Sequence, residues 1–423
     1  MVWCTYSVAE ALQFADGGES EVSRPGALDG VAVLDLGTVG PAARASRILS
    51  DYGASVTKVG AVPRAGGVQI TPPYYAYSGN RGMTRALFDL KADVGRDAFL
   101  MLAAGADVVI ESFRPGVADR LGIGYEALRE VNPGIIVCST SGYGQSGPRR
   151  DWAGHDVNYL ATSGFLDCSG RRADGRPALP GATVADIAAG GMQAAMAIMA
   201  ALLRREFAGG AVEPSGSPQG RVEGEHLDVS IADGAFTMMS LYVDEYLATG
   251  TEPGPGHYIL TGRYACYDTY RCADDGFVSV GAIEARFWAN LCELVGLPQY
   301  AASQTDDDAQ DEIRAALAAV FATEPRDHWV ELLGPADTCV APVNTVAEAV
   351  ADPHTVARGL VVDAVSDTDG PFRQSAPGWA GTVEPDGPYT VRDPASSDVV
   401  ELLRAAGLED ERVEELMEQG VIA

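Results

Sequence analysis

Lysine is nearly missing from this chain. Of its thirty Lys and Arg residues only Lys58 and Lys91 are lysines, and the thirty cations face 59 Asp and Glu, a formal net charge of −29. A surface of that sign repels phosphate backbones, which excludes nucleic acid as a partner. Metal-binding patterns are missing too. The five histidines show no ligand spacing and the seven cysteines no C-x-x-C pair, so neither a zinc site nor a disulfide framework is expected. Met1 to Ser7 lack the basic start and apolar run of a signal peptide. The longest apolar stretch, around Met192 to Leu203, is short for a bilayer and carries Gln193. The expectation is a soluble, cytoplasmic protein with no membrane partner.

Apolar material is plentiful. With 423 residues and 47% hydrophobic composition, the chain can bury a large core over two or three domains, so its acid belongs on a folded surface and not in a disordered tail. Aspartate-rich, lysine-poor folded proteins resemble those of salt-loving archaea, where dense carboxylates hold water and high salt screens their repulsion.

The element pattern alternates. Val31 to Leu36 reads as a strand, Pro41 to Tyr52 as a helix and Ser55 to Val59 as a strand. Strand Ala86 to Leu90, helix Asp93 to Ala104, strand Val108 to Ile110, helix Tyr125 to Arg129 and strand Ile135 to Ser139 follow. Such alternation implies a doubly wound parallel sheet. Ile187 to Arg205 is apolar on most faces and reads as a buried helix. Ala208 to Glu225 reads as a loop, Leu227 to Leu247 as a strand passing into a helix, and Thr249 to His257 as a linker before a second domain. There, Tyr264 to Thr269 and Phe277 to Val280 read as a hairpin around Asp274-Asp275-Gly276, and Asp398 to Met417 closes the chain as a polar amphipathic helix.

Gly142-Tyr143-Gly144-Gln145-Ser146-Gly147 fits G-x-G-x-x-G after a strand, yet Pro148-Arg149-Arg150 follows where a nucleotide fingerprint needs a helix. A glycine-rich loop beside a cleft is the better reading. Gly154-His155-Asp156-Val157-Asn158-Tyr159 crowds a histidine, a carboxylate and an amide into one loop, so His155 is either an acid/base or an ordinary structural histidine. Asp186, at the head of the buried helix, is either its N-cap or a carboxylate held and tuned by backbone N–H groups. Glu284, after a strand, reads by itself as a solvated helix-start residue.

Taken together these segments resemble a known family. Val31 to Leu36, the Gly40-Pro41 turn, Asp51 to Val59, Asp89-Leu90-Lys91, Ala106 to Gly116, Gly142 to Pro148 and Asp337 to Val343 are similar to class III CoA-transferases, the CaiB/BaiF family, over about Leu28 to Gly378. Gly154 to Tyr159 and Tyr267-Asp268-Thr269-Tyr270-Arg271 leading to Gly281-Ala282-Ile283-Glu284 resemble its α-methylacyl-CoA racemase branch, whereas Ile187-Ala188-Ala189-Gly190-Gly191 after Asp186 reads more like the transferases.

The resemblance implies an α/β protein with a Rossmann-like parallel-sheet large domain and a smaller α+β domain, two chains interlocking as rings into a homodimer. On that pattern 1–27 is an extension, 28–207 the large CoA-binding domain completed by 360–423, 208–257 a linker, 258–345 the small domain and 346–359 the return linker. CoA enters as part of an acyl-CoA thioester substrate, with no other cofactor. Arg114, Arg81, Arg85 and Lys91 are the candidates for its phosphates, with surface pairing to carboxylates as the ordinary alternative for the last three.

In the racemase branch, the positions matching His155 with Glu284 and matching Asp186 exchange the α-proton. Inversion through an enolate needs two acid/base groups on opposite faces of that carbon. In the transferases the position matching Asp186 attacks the thioester, giving a mixed anhydride and then an aspartyl-CoA thioester, and a carboxylic acid is the second substrate. An inactive CoA-binding homologue is the third reading.

Overall fold

A computed structural model describes residues 25–37, 39–63, 73–76, 80–209, 223–383, 387–393 and 395–423. Most of the expected N-terminal extension and of the Ala208 to Glu225 loop therefore lies outside the described residues.

Six parallel strands, β1 (Ala32–Asp35), β2 (Ser55–Ala61), β3 (Thr84–Phe88), β4 (Val108–Glu111), β5 (Ile136–Ser141) and β6 (His226–Ser230), form one sheet in the order β3-β2-β1-β4-β5-β6. Every residue of β4 and β5 is buried, as a parallel sheet covered on both faces requires. The pleat sends alternate side chains to two apolar layers. Val33, Val108, Ile110 and Cys138 pack with Ile48 and Leu49 of α1 (Gly40–Asp51) and Ile198 and Leu202 of a long apolar helix. Leu34, Val109 and Val137 pack with Phe99 of α2 (Asp93–Ala104) and with Leu403, Leu416 and Ile422 from the chain's end. The C-terminal residues thus complete the second layer, and Asp89 donates its N–H to the Val421 carbonyl at 2.8 Å. The end is two helices, Val399–Ala405 and Asp410–Glu418, and not one as expected; Gly407 at φ 92° turns the chain between them.

The long helix also differs from expectation. It runs unbroken from Ala185 to Gly209, and its stretch Ala185–Phe207, 23 residues, is long and apolar enough to cross a membrane by length and composition alone. In this fold Ala194, Ala195, Ile198 and Ala201 on it are buried in the layer beneath the sheet. Its first eight residues, Ala185–Met192, are π-helical and carry Gly190 and Gly191, and the α-helical remainder spans Gln193–Gly209.

The smaller body has an antiparallel sheet of β7 (Tyr267–Arg271), β8 (Phe277–Gly281) and β9 (Val340–Pro342), around a core holding Trp288, Leu291, Ile313, Leu317, Phe321 and Trp329. The hairpin turns through Asp275 at φ 63°. A third sheet, β10 (Val361–Ser366), β11 (Gly370–Ser375) and β12 (Tyr389–Val391), was not expected. It docks on the large domain where Gly82 donates to the Thr390 carbonyl at 3.0 Å.

Candidate functional site

Strand order reverses between β1 and β4, so the loops leaving the carboxyl ends of these strands border the crevice where open α/β sheets take ligands. Under that edge Lys58 Nζ bonds Asp35 Oδ2 and the Gly37 carbonyl, each at 2.5 Å, fixing the turn after β1. One of the chain's two lysines is thus committed to a buried pair.

The loop after β5 runs on to Asp156 without forming a helix, so the helix a nucleotide fingerprint needs is missing. Its glycines are needed for space. A Cβ on Gly142 would stand 2.5 Å from Tyr159 Oη, and one on Gly154 2.8 Å from the same ring. Tyr159 lies under both and donates to the Gly154 carbonyl at 2.7 Å. Burial, then Asp186, push its hydroxyl up to about 12.

His155 follows directly. It is the extended residue ahead of α3 (Asp156–Thr162), its N–H donates to Asn158 Oδ1 at 3.0 Å, and it is exposed. Asp156, next along, accepts the backbone N–H of Asp186 on Oδ1 at 3.0 Å, which ties the start of α3 to the start of the long helix. Beneath them Tyr159, Leu160, Ala185, Ala189, Ile231 and Ala235 form a small apolar cluster of their own.

Asp186 does not cap its helix. The cap position is Val184, already in helical conformation, and Asp186 is the second residue of the π-helical segment. π-Helical turns concentrate at functional sites, and this one leaves the Asp186 carboxyl out of the capping it would otherwise perform. The carboxyl is half-buried. Burial first and Asp156 second raise its pKa above the ordinary carboxylate value, while Arg44 and His155 pull it down. Asp156 thus ties the start of α3, with His155 at its head, to the Asp186 segment.

Glu284 is joined to neither His155 nor Asp186 by a hydrogen bond or ion pair among the described residues. It precedes the helix Ala285–Leu294 in the smaller body, exposed, with no capping hydrogen bond from its side chain. Its backbone is firmly held: Gln304 Nε2 donates to the carbonyls of Ala282 at 2.9 Å and Ile283 at 2.7 Å, and Gly281 donates to the Cys339 carbonyl at 2.9 Å. Asp337 and Cys339, at φ 52° and 53°, shape this edge around the buried Thr338.

Of the four cations expected at CoA, Arg81 needs correction. It is 1% exposed, bonds Asp51 and the Ser375 carbonyl, and lies 4.3 Å over the Tyr389 ring. It is a buried strut between α1 and the third sheet, with no face for a phosphate. Arg85 is half-buried on β3, its main-chain N–H held by Asp398 at 3.0 Å. Arg114 and Lys91 are exposed on the loops after β4 and β3, and among the described residues neither side chain has an ion-pair partner. Asp156, Tyr159 and Arg44, which the fold gathers at the Asp186 segment, were not among the sequence candidates. Asp156 and Tyr159 stood in the quoted His155 segment, whereas nothing in the sequence marks Arg44.

The model of "CoA-transferase family III" matches residues 28–395. An alpha-methylacyl-CoA racemase of Mus musculus is 32% identical over 93% of this chain and 97% of its own length. An acetyl-CoA:oxalate CoA-transferase of Acetobacter aceti is 31% identical over 81% of this chain and 88% of its own. Among solved structures, a CaiB/BaiF family protein from Brucella suis superposes with a TM-score of 0.69 and 27% identity, covering 90% of this chain and 99% of that one. A match of this extent, with the expected parallel sheet beneath it, makes the chain a member of CoA-transferase family III and an enzyme of that transferase and racemase family.

Proposed function

We propose that the protein is an acyl-CoA epimerase that inverts the α-carbon of a 2-methylacyl-CoA. The observation that carries this reading is the bond from the Asp186 N–H to Asp156, which ties the segment headed by His155 to the half-buried Asp186. Enolate formation with inversion needs one group to take the α-proton and a different group to return one from the other face. A half-buried aspartate with a raised pKa suits that work, because its proton affinity is moved toward the working pH of an acid/base catalyst. The racemase relatives, matched nearly end to end, support the same chemistry.

Glu284 enters this reading from a second chain. Phe207, 72% exposed, and Leu247, 75% exposed, leave apolar helix surface uncovered on the single chain, which supports an interlocked homodimer. A partner's small domain then sets its Glu284 beside His155, fixing the imidazole tautomer and stabilising imidazolium. The CoA phosphates fall to Arg114, Lys91 and Arg85, and CoA is part of the substrate. The acidic, arginine-for-lysine surface supports work in a salt-rich cytoplasm.

A second reading, CoA transfer to a carboxylic acid through an aspartyl-CoA thioester on Asp186, is favoured by the transferase-like Ile187-Ala188-Ala189 and by relatives such as the Acetobacter aceti enzyme. Chirality decides between them. Either epimer of a 2-methylacyl-CoA, given alone with no acceptor acid, should relax to the same mixture. A substrate whose configuration persists while CoA moves to added oxalate or succinate would replace this reading by the second.

A further inference from the structure

The Asp186 segment is held by a cation that no motif marks. Arg44, on α1, donates from Nη2 to Thr183 Oγ1 at 2.9 Å. Thr183 stands three residues ahead of Asp186, and its carbonyl accepts the Ile187 N–H at 2.9 Å, so it belongs to the turn that launches the π-helical segment. The close approach depends on two missing side chains. A Cβ on Gly190 would come within 2.7 Å of the Pro41 ring, and one on Gly191 within 2.7 Å of Arg44 Cβ. The glycine pair lets the start of α1 lie directly on the Asp186 segment and brings the half-buried Arg44 to its head.

The surrounding charges leave Arg44 a defined part. Asp156 and burial disfavour the Asp186 carboxylate, and Arg44, ahead of His155, favours it. On the other packed elements, Arg47 is committed to Asp51 at 2.6 Å, Tyr159 is neutral, Asp228 of β6 accepts the Gln145 N–H, and Asp233 of the helix Ile231–Met238 is exposed. Among the described residues, Arg44 is the one permanent cation acting on Asp186.

We propose that Arg44 is a positioning residue for the reaction: tethered to Thr183, it holds the Asp186 segment in place and supplies the positive charge that keeps the Asp186 carboxylate available. The inference rests on Asp186 being the reacting carboxylate, and it applies to either chemistry. It also fits a salty working medium. At about 1 M salt the Debye length is roughly 3 Å, so only a cation fixed close by, and partly shielded from solvent, keeps its influence.

The test reads Asp186 directly. In protein labelled with 13C at aspartate carboxyls, the Asp186 signal is assigned by its loss in Asp186→Asn, and its titration is followed in the wild type, Arg44→Met, Arg44→Lys and Thr183→Val. The midpoint should move to higher pH in Arg44→Met, stay near the wild type in Arg44→Lys, and move less in Thr183→Val. The acid limb of kcat should shift in the same order, with KM for the thioester changed little. If Arg44→Met does not fold, the Lys and Val variants still decide: Thr183→Val unchanged in both midpoint and kcat overturns the proposal. An unmoved midpoint in folded Arg44→Met overturns it as well. The titration does not depend on turnover, so a wild type lacking both epimerase and transferase activity would count against the functional reading while leaving this result standing.

Discussion

The two halves of the site are built in opposite ways. On the large domain His155 and Asp186 sit in a dense local network, with Tyr159 under two glycines, Asp156 bridging two helices and a private apolar cluster beneath. On the small domain Glu284 has a rigid backbone and a bare, exposed side chain. The first half is finished within one chain. The second is shaped to be used by something that arrives, which is the position a second protomer takes in the proposed function. On that reading, folding contacts and catalytic contacts coincide in one region and are separated in the other.

The comparison breaks most visibly at Asp186. Asp186→Asn should lower turnover by at least the 10²- to 10⁴-fold typical of a lost general acid/base, with the fold intact by circular dichroism, because the backbone bond to Asp156 remains. His155→Ala and Glu284→Ala should each fall in the same range. Mixed after reversible dissociation, those two inactive variants should regain activity toward roughly a quarter of the wild type, since half the dimers are mixed and one of their two sites is intact. No recovery, with mixed dimers demonstrated by mass spectrometry, would place Glu284 in its own chain's site.

The cations give the next contrast. Arg81→Ala, which leaves Asp51 buried beside Arg47 alone, should cost about 3–5 kcal/mol in chemical denaturation. Arg114→Ala should leave stability within about 0.5 kcal/mol and weaken CoA thioesters in calorimetric titration. The reverse pattern would restore Arg81 to the phosphates. Tyr159→Phe, removing only the bond to Gly154, should cost about 0.5–1.5 kcal/mol and lower kcat more than it raises KM.

Salt acts on both halves. Dialysis into dilute buffer should unfold the protein, because 59 carboxylates then repel with little screening. Retention of full ellipticity and activity would remove the halophilic reading.

The parallel sheet was legible because strands buried on both faces read as short apolar runs, and β4 and β5 are wholly buried. His155 stood out in the sequence because its glycine-flanked loop compresses polar groups into six residues. Arg81 was misread for a physical reason. An arginine in a polar segment looks the same whether its partner is a phosphate or a buried Asp51 thirty residues earlier, and only the fold brings Ser375 and Tyr389 around it. Asp186 was legible in place but not in conformation, since an aspartate before an apolar run has the pattern of an N-cap, and π-helical winding leaves no periodic signal over eight residues. Arg44 depends on the missing side chains of Gly190 and Gly191, about 150 residues away in the chain, and no local pattern reports that. The third sheet escaped notice because its strands are only partly buried, so no continuous apolar run marks them, and β12 pairs with β10 across the intervening β11.

The most direct measurement of the central claim is α-proton exchange. A 2-methylacyl-CoA incubated with the enzyme in D2O, without any acceptor acid, should take up deuterium at the α-carbon while the thioester stays intact and both configurations accumulate. Acceptor-dependent transfer of CoA with no α-deuteration would contradict the account and leave Asp186 as a nucleophile.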